Sequence, residues 1–215
     1  MGSGEGAEER QGKGLVDQAI KEGVKLFVQT SVDRGGDDSL NNPTNIPHFI
    51  AKHNIEKHLV NQTKDSEMGW VILRPTAFFE NLVPSFFGKV FATCFEIALK
   101  GKSLQLIAVK DIGFFGAQAF IKPEEFRGKG LSLAGDELTY QQFETIFKAK
   151  TGNTLPTTYS FICRFLMWMM KDFGYMFTWF REHGYRADIE ALKKMNPELK
   201  DFGTWLEKDS EFKTT

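Results

Sequence analysis

The sequence predicts an α/β fold: a parallel sheet flanked by helices, followed by a mostly helical second half. Two short runs, VKLFVQTSV at 24–32 and MGWVIL at 68–73, are β-branched and aromatic, and their centres are apolar without alternation. That is how parallel strands covered on both faces read. Each run follows a segment with helical periodicity, and helix–strand–helix–strand order at this spacing belongs to parallel α/β architecture. Beyond Phe78 the chain becomes phenylalanine-rich and helical in pattern.

The elements follow in order. Residues 1–9 are Gly-rich and acidic and read as a flexible tail. Leu15, Val16, Ala19 and Ile20 form one stripe of a helix over about 11–22, and Gly23 sits where a helix-terminating glycine is expected. After the first strand, residues 33–45 are rich in Asp, Gly and Asn and form a surface connection. Pro47 suits the first turn of a helix running to about Asn61. The second strand ends at Arg74-Pro75, and a helix is expected over 84–99. Leu104–Val109 and Leu131–Ala134 read as a third and a fourth strand, with Asp111 capping a helix over 112–121 between them. Thr139-Tyr140-Gln141-Gln142 is a capping box opening a helix to about Lys150. A terminal helix is expected around 201–208.

Composition narrows the function. The chain has 215 residues, 41% hydrophobic and 26% charged, enough to bury a core. A net charge of −1 and the absence of any basic run exclude a phosphate-backbone reader, so no direct nucleic-acid partner is expected. Two cysteines, Cys94 and Cys163, make no disulfide framework and no metal spacing, which points to a reducing compartment. The most apolar stretch, Tyr159–Phe180, is broken by Arg164, Lys171 and Asp172 and falls short of the ~20 residues a membrane-spanning helix needs. It reads as a pair of buried or pocket-lining helices, with an interfacial helix as the alternative. The Met and aromatic run at Phe165–Met170 is read as core.

Chemistry-bearing residues are few. His48 and Lys52 share one helical face at i, i+4, and Glu56 continues it. The preceding strand ends in Thr30-Ser31, and ligands of parallel sheets gather outside the carboxyl ends of the strands. A hydroxyl, an imidazole and an ammonium there can hold a sugar hydroxyl and trade a proton with a substrate oxygen. A solvated helix face explains the same spacing. His53 and His58 are five apart, off the register for a shared metal. Asp33-Arg34 and Asp37-Asp38 read as a charged loop. A Ser31–His48–Asp33 triad lacks a nucleophile elbow and is set aside.

Seven segments together resemble one family: QGKGLVDQA, VKLFVQTSVDRGG, IPHFIAKHNIEKHL, GWVILRPTAFFENLVPSF, DIGFFGAQAF, LAGDELT and PELKDFGTWLEKDSEF. In this order, from Arg10 to Phe212, they are similar to the NmrA-like family and its fungal branch. These are atypical short-chain dehydrogenase/reductase relatives with an NAD(P)-binding Rossmann domain. The resemblance implies the back half of a Rossmann-like sheet over 10–82 and a substrate or partner subdomain over 83–215, with 104–121 returning to the sheet. It implies NADP or NAD as cofactor. Lys52 then meets the nicotinamide ribose, and His48 stands where the active enzymes carry the Tyr of Tyr-x-x-x-Lys. Ser31 matches the superfamily's catalytic hydroxyl. Phe78, Phe79, Glu80 and Asn81 lie against the nicotinamide end, and Arg10 lies near the cofactor.

Two departures qualify that carry-over. A His replaces the phenol that donates the proton, and imidazole titrates in another range. No G-x-x-G-x-x-G or G-x-G-x-x-G occurs in the chain, so the loop that turns a helix N-terminus toward a pyrophosphate is missing. The expectation is an NmrA-type oxidoreductase, truncated and inactive as encoded, binding NAD(P) weakly or not at all. The alternative is a non-catalytic NAD(P) redox or nitrogen-status sensor acting on a regulatory protein, in transcriptional regulation. A third reading is a small α/β interaction module with an aromatic helical surface. The partner is a small-molecule substrate or a regulatory protein. The location expected is cytoplasmic, extending to the nucleus for a regulator. Self-association is expected through an unpaired edge of the first strand.

Overall fold

The computed structural model describes residues 6–214. The chain runs α1 (Ala7–Lys21), β1 (Leu26–Thr30), α2 (Pro47–Gln62), β2 (Gly69–Pro75), β3 (Ala77–Phe78), α3 (Phe86–Leu99), β4 (Leu104–Ile107) and α4 (Val109–Ile121). It continues through α5 (Pro123–Phe126), β5 (Lys129–Leu133), β6 (Asp136–Leu138), α6 (Tyr140–Thr151), α7 (Ser160–Met169), α8 (Lys171–Glu182), α9 (Ile189–Met195) and α10 (Phe202–Lys208).

The first sheet has the order β1-β2-β5, all parallel, with Val28 opposite Val71 and Leu73 opposite Leu131. Alternation along β2 explains its two covers. Trp70 and Ile72 face α1 and α2, where Val16 and Leu59 are fully buried. Val71 and Leu73 face the other side, where Phe115 and Ala119 of α4 pack. Gly23 adopts φ +70 after α1, so that its N–H and that of Val24 reach back to the Ile20 and Ala19 carbonyls. A second sheet, β3-β4-β6, lies beneath the helical part; β3 and β4 are parallel, β4 and β6 antiparallel. Around it, α3, α6, α8 and α10 close the largest core, with Phe143 and Phe202 stacked at 4.0 Å. The Thr139–Gln142 capping box forms as expected.

Several expectations need correction. Of the tail expected over 1–9, residues 1–5 lie outside the described residues, and Ala7 to Glu9 form the first turn of α1, where Glu9 pairs with Lys13 at 2.5 Å. β4 does not return to the first sheet; only α4 does, and the sheet's third strand is β5. Every residue of β4 is buried, so its apolar pattern is the same in either sheet. Asp111 does not cap α4. It sits inside the helix and accepts bonds from the Lys200 backbone N–H at 3.0 Å and from Lys200 Nζ at 3.2 Å. The carboxylate at the helix start is that of Glu80, whose Oε1 accepts from Val109 N–H at 2.9 Å. Among the described residues no helix is long and apolar enough to cross a membrane.

Candidate functional site

A cavity of about 730 Å³ opens at the carboxyl ends of β1 and β2, where parallel sheets place ligands. Its floor is the strand ends, Ser31 and Thr76 among them. One wall is the first two turns of α2, with His48 and Lys52. The opposite wall is aromatic and comes from α3 and α8, with Phe91, Phe173 and Phe180, closed by Tyr185. Phe78, Glu80 and Asn81 complete the rim.

The α2 face divides by depth. His48 Nδ1–H donates to Asp172 Oδ2 at 2.7 Å, because a carboxylate oxygen only accepts, and Nε2 has no hydrogen-bond partner among the described residues. Asp172 Oδ1 is buried and has no partner among the described residues. Lys52 pairs with Glu8 of α1 at 2.8 Å while still lining the cavity. One turn further, Glu56 is fully buried and turns to the sheet. Its carboxylate accepts from Arg34 Nη2 at 2.9 Å, from Arg74 Nη2 at 2.8 Å and Nε at 3.1 Å, and from the Ser31 hydroxyl. Burial raises the Glu56 pKa, and the hydrogen bonds and charges of the two guanidinium groups more than offset it, leaving it below its ordinary value.

The residues at 33–34 are therefore not a charged surface loop, since Asp33 and Arg34 are both fully buried. Asp33 accepts from the Gly36 N–H at 2.8 Å and the Arg186 N–H at 3.0 Å, and from the Ser132 hydroxyl at 2.5 Å. It thus ties the end of β1 to β5 and to the segment after α8. Gly36 has φ +65, and a Cβ there would stand 2.5 Å from the Arg186 carbonyl. Burial, with the charge of Asp33 adding to it, holds the Tyr185 phenol well above its ordinary pKa. Tyr185 is thus a protonated hydroxyl in the cavity wall.

The structure brings Ser31, His48, Lys52, Phe78, Glu80 and Asn81 to one cavity. Ser31 is spent on Glu56 and Arg34. Phe79 turns into the core, stacked on Trp205 at 5.6 Å, and Arg10 lies on α1 away from the cavity lining. The expected core run at Phe165–Met170 divides. Leu166 and Met170 line the cavity, while Phe165, Trp168 and Met169 are exposed. Asp172, Glu56 with its two arginines, and Tyr185 are absent from the sequence-based site.

Glu80 supplies a test of fit for the nicotinamide cofactor that the resemblance implies. Its Oε1 accepts from Val109 N–H and from Trp205 Nε1–H at 3.1 Å, whereas Oε2 is buried without a partner among the described residues. An unpaired buried acceptor beside a cavity suits a donor such as a ribose hydroxyl or a carboxamide N–H. Of the four residues Phe78 to Asn81, Glu80 offers such an acceptor, and Phe79 is turned into the core. No glycine-rich turn among them offers a pyrophosphate cradle.

The chain belongs to the NmrA-like family, whose sequence model matches residues 2–206. No curated protein matches it. Among solved structures, NmrA, a negative transcriptional regulator in complex with NADP, matches at 14% identity and TM-score 0.64, over 94% of this chain and 70% of that one. The NADPH-dependent quinone oxidoreductase QOR2 from Escherichia coli, complexed with NADPH, matches at 18% and 0.67, over 94% and 71%. A nucleoside-diphosphate-sugar epimerase from Staphylococcus aureus matches at 17% and 0.62, over 91% and 69%. At these identities the likeness is one of fold.

Proposed function

We propose that this chain carries the nicotinamide-end and substrate-binding part of an NmrA-type NAD(P)-linked oxidoreductase. The observation that supports it is one cavity holding His48 with Asp172, Lys52, and the unpaired Glu80 Oε2 around an aromatic void. A reduced nicotinamide, when bound, supplies hydride to an acceptor. Lys52 would donate to a ribose hydroxyl, exchanging its pair with Glu8 for that bond. Glu80 Oε2 accepts from the carboxamide or ribose. Asp172 holds the ring through Nδ1–H, so that a His48 protonated also at Nε2 would deliver from Nε2 the proton that the substrate oxygen needs after hydride arrives, in place of the usual phenol, and would be left as neutral imidazole. Phe91, Phe173 and Phe180 favour a planar, apolar acceptor of the quinone class.

A second reading, a nucleotide sensor without turnover, is favoured by Ser31. Its hydroxyl is held by buried Glu56 and so is withheld from a proton relay. Both readings share the same binding test. Saturation-transfer NMR with reduced nicotinamide mononucleotide is expected to show ring protons bound. Lys52→Ala should weaken this by about 1.5–3 kcal/mol, the worth of a charge-assisted bond. NADPH should bind no more than a few-fold better, because the phosphate cradle is missing. A folded chain that gives no saturation transfer overturns the site. A low-micromolar NADPH affinity by calorimetry overturns the view that the pyrophosphate is unsupported. Consumption of NADPH with a quinone panel separates the enzyme from the sensor.

A further inference from the structure

α7 is apolar on two sides. Its inner side packs on the core through buried Cys163, with Leu166 and Met167 against it. Its outer side carries Phe161, Phe165 and Trp168 at i, i+4 and i+7, one helical stripe, at 67%, 54% and 76% exposure. Tyr159 stacks on Phe161 at 5.7 Å and Phe165 lies against Trp168 at 5.9 Å, so these rings cover one another and no core. Phe87, in the first turn of α3, is 78% exposed and borders the same cavity as Leu166 and Met170. At ~150–250 Å² for a whole aromatic side chain, and with each of the five rings 54–78% exposed, about 500–900 Å² of aromatic surface stands in solvent, at or above the ~300–600 Å² of a typical monomer's largest patch.

Charge identifies what covers it. Arg164, within α7, and Lys171, which follows it, are exposed, and their side chains enter no ion pair among the described residues. α7 has no acidic residue, and the first carboxylate after it in the chain, Asp172, is taken by His48. A two-fold copy of this face would set two unpaired cations against the same two, which disfavours a dimer. Anionic headgroups answer the cations, and aromatic rings with Trp and Tyr suit the headgroup–acyl boundary. The net charge of −1 shows that this is a local feature and not a generally basic surface.

We propose that α7 and the first turn of α3 form a monotopic docking face for anionic membranes, which sets the cavity mouth on the lipid surface. Ten residues of α7 lie along the interface and do not cross it. An apolar ligand dissolved in the bilayer would then enter the cavity past Met170 and Phe87 without crossing water.

The test uses the whole chain and no nucleotide, so it stands or falls apart from the cofactor reading. The chain is floated with vesicles of phosphatidylcholine alone and of phosphatidylcholine with phosphatidylserine in equal parts. The expected result is flotation with the anionic vesicles only. Arg164→Glu with Lys171→Glu should lower partitioning by about thirtyfold or more, and Trp168→Ser should lower it by on the order of tenfold with an unchanged circular-dichroism spectrum and melting curve. Failure of the folded chain to float with either vesicle overturns the proposal. So does equal flotation with both vesicles, or flotation unaffected by Trp168→Ser. A dimer in light scattering that Trp168→Ser dissociates also overturns it and assigns the patch to a second copy.

Discussion

Replacing Glu56 by Gln removes the one anion between two buried guanidinium groups. Arg34 retains the carbonyls of Val32, Ser39 and Asn42 as acceptors. Arg74 has only Glu56 as a hydrogen-bond acceptor among the described residues, and it is 5% exposed. Breaking a buried pair from one side costs roughly 3–5 kcal/mol, because a charge is left without an answer. Gln keeps one carbonyl acceptor, so the lower end, about 3 kcal/mol, applies. For a chain of this size 1 kcal/mol moves the midpoint by ~2–4 °C, and the expected loss is therefore about 6–12 °C. The pH dependence has a definite sign. The folded Glu56 pKa lies below its ordinary 4.5, so its contribution is complete above 4.5 and is lost as pH falls through the folded value. Urea unfolding followed by circular dichroism, at neutral pH and through the carboxylate range, reads both effects. A Glu56→Gln chain within about 1 kcal/mol of the parent, with an unchanged acid limb, would refute the argument and show that water reaches the arginines.

Two further outcomes are expected. β1 has one strand neighbour among the described residues, so its other edge offers free backbone groups beside half-buried Leu26 and Val28; light scattering should give a mass above 24.5 kDa that is insensitive to Trp168→Ser, and a monodisperse monomer would show the edge to be covered. Cys94 and Cys163 are fully buried, and burial pushes both thiols up in pKa, so Ellman's reagent should label neither until the chain is unfolded; prompt labelling of the native chain would show that α7 opens.

The elements that were legible are those whose signal is local. The β1 and β2 runs, Pro47 at the start of α2, Gly23 and the Thr139–Gln142 box each carry their reason within a few residues. What a sequence period leaves open is the partner across space. It placed His48, Lys52 and Glu56 on one face of α2, but not that Asp172, 124 residues away, takes the imidazole, or that Arg34 and Arg74 draw Glu56 out of the site. The loop at 33–34 misled for the same reason. Asp and Arg beside glycines look solvated, and only the return of the chain at Ser132 and Arg186 makes their burial affordable.

The aromatic helices show a second limit. A residue run apolar on both sides of a helix is written the same way whether the second side meets core, ligand or lipid. Burial separates the three. Cys163 meets core, Met170 meets the cavity, and Trp168 meets neither. The unpaired cations then carry the discrimination that hydrophobicity lacks, because Arg164 and Lys171 interrupt the run at the places where a core helix would tolerate no charge. In the sequence those two residues argue against a spanning helix; in the fold they flank the exposed stripe, and the same charges become the reason to expect a membrane surface beside it.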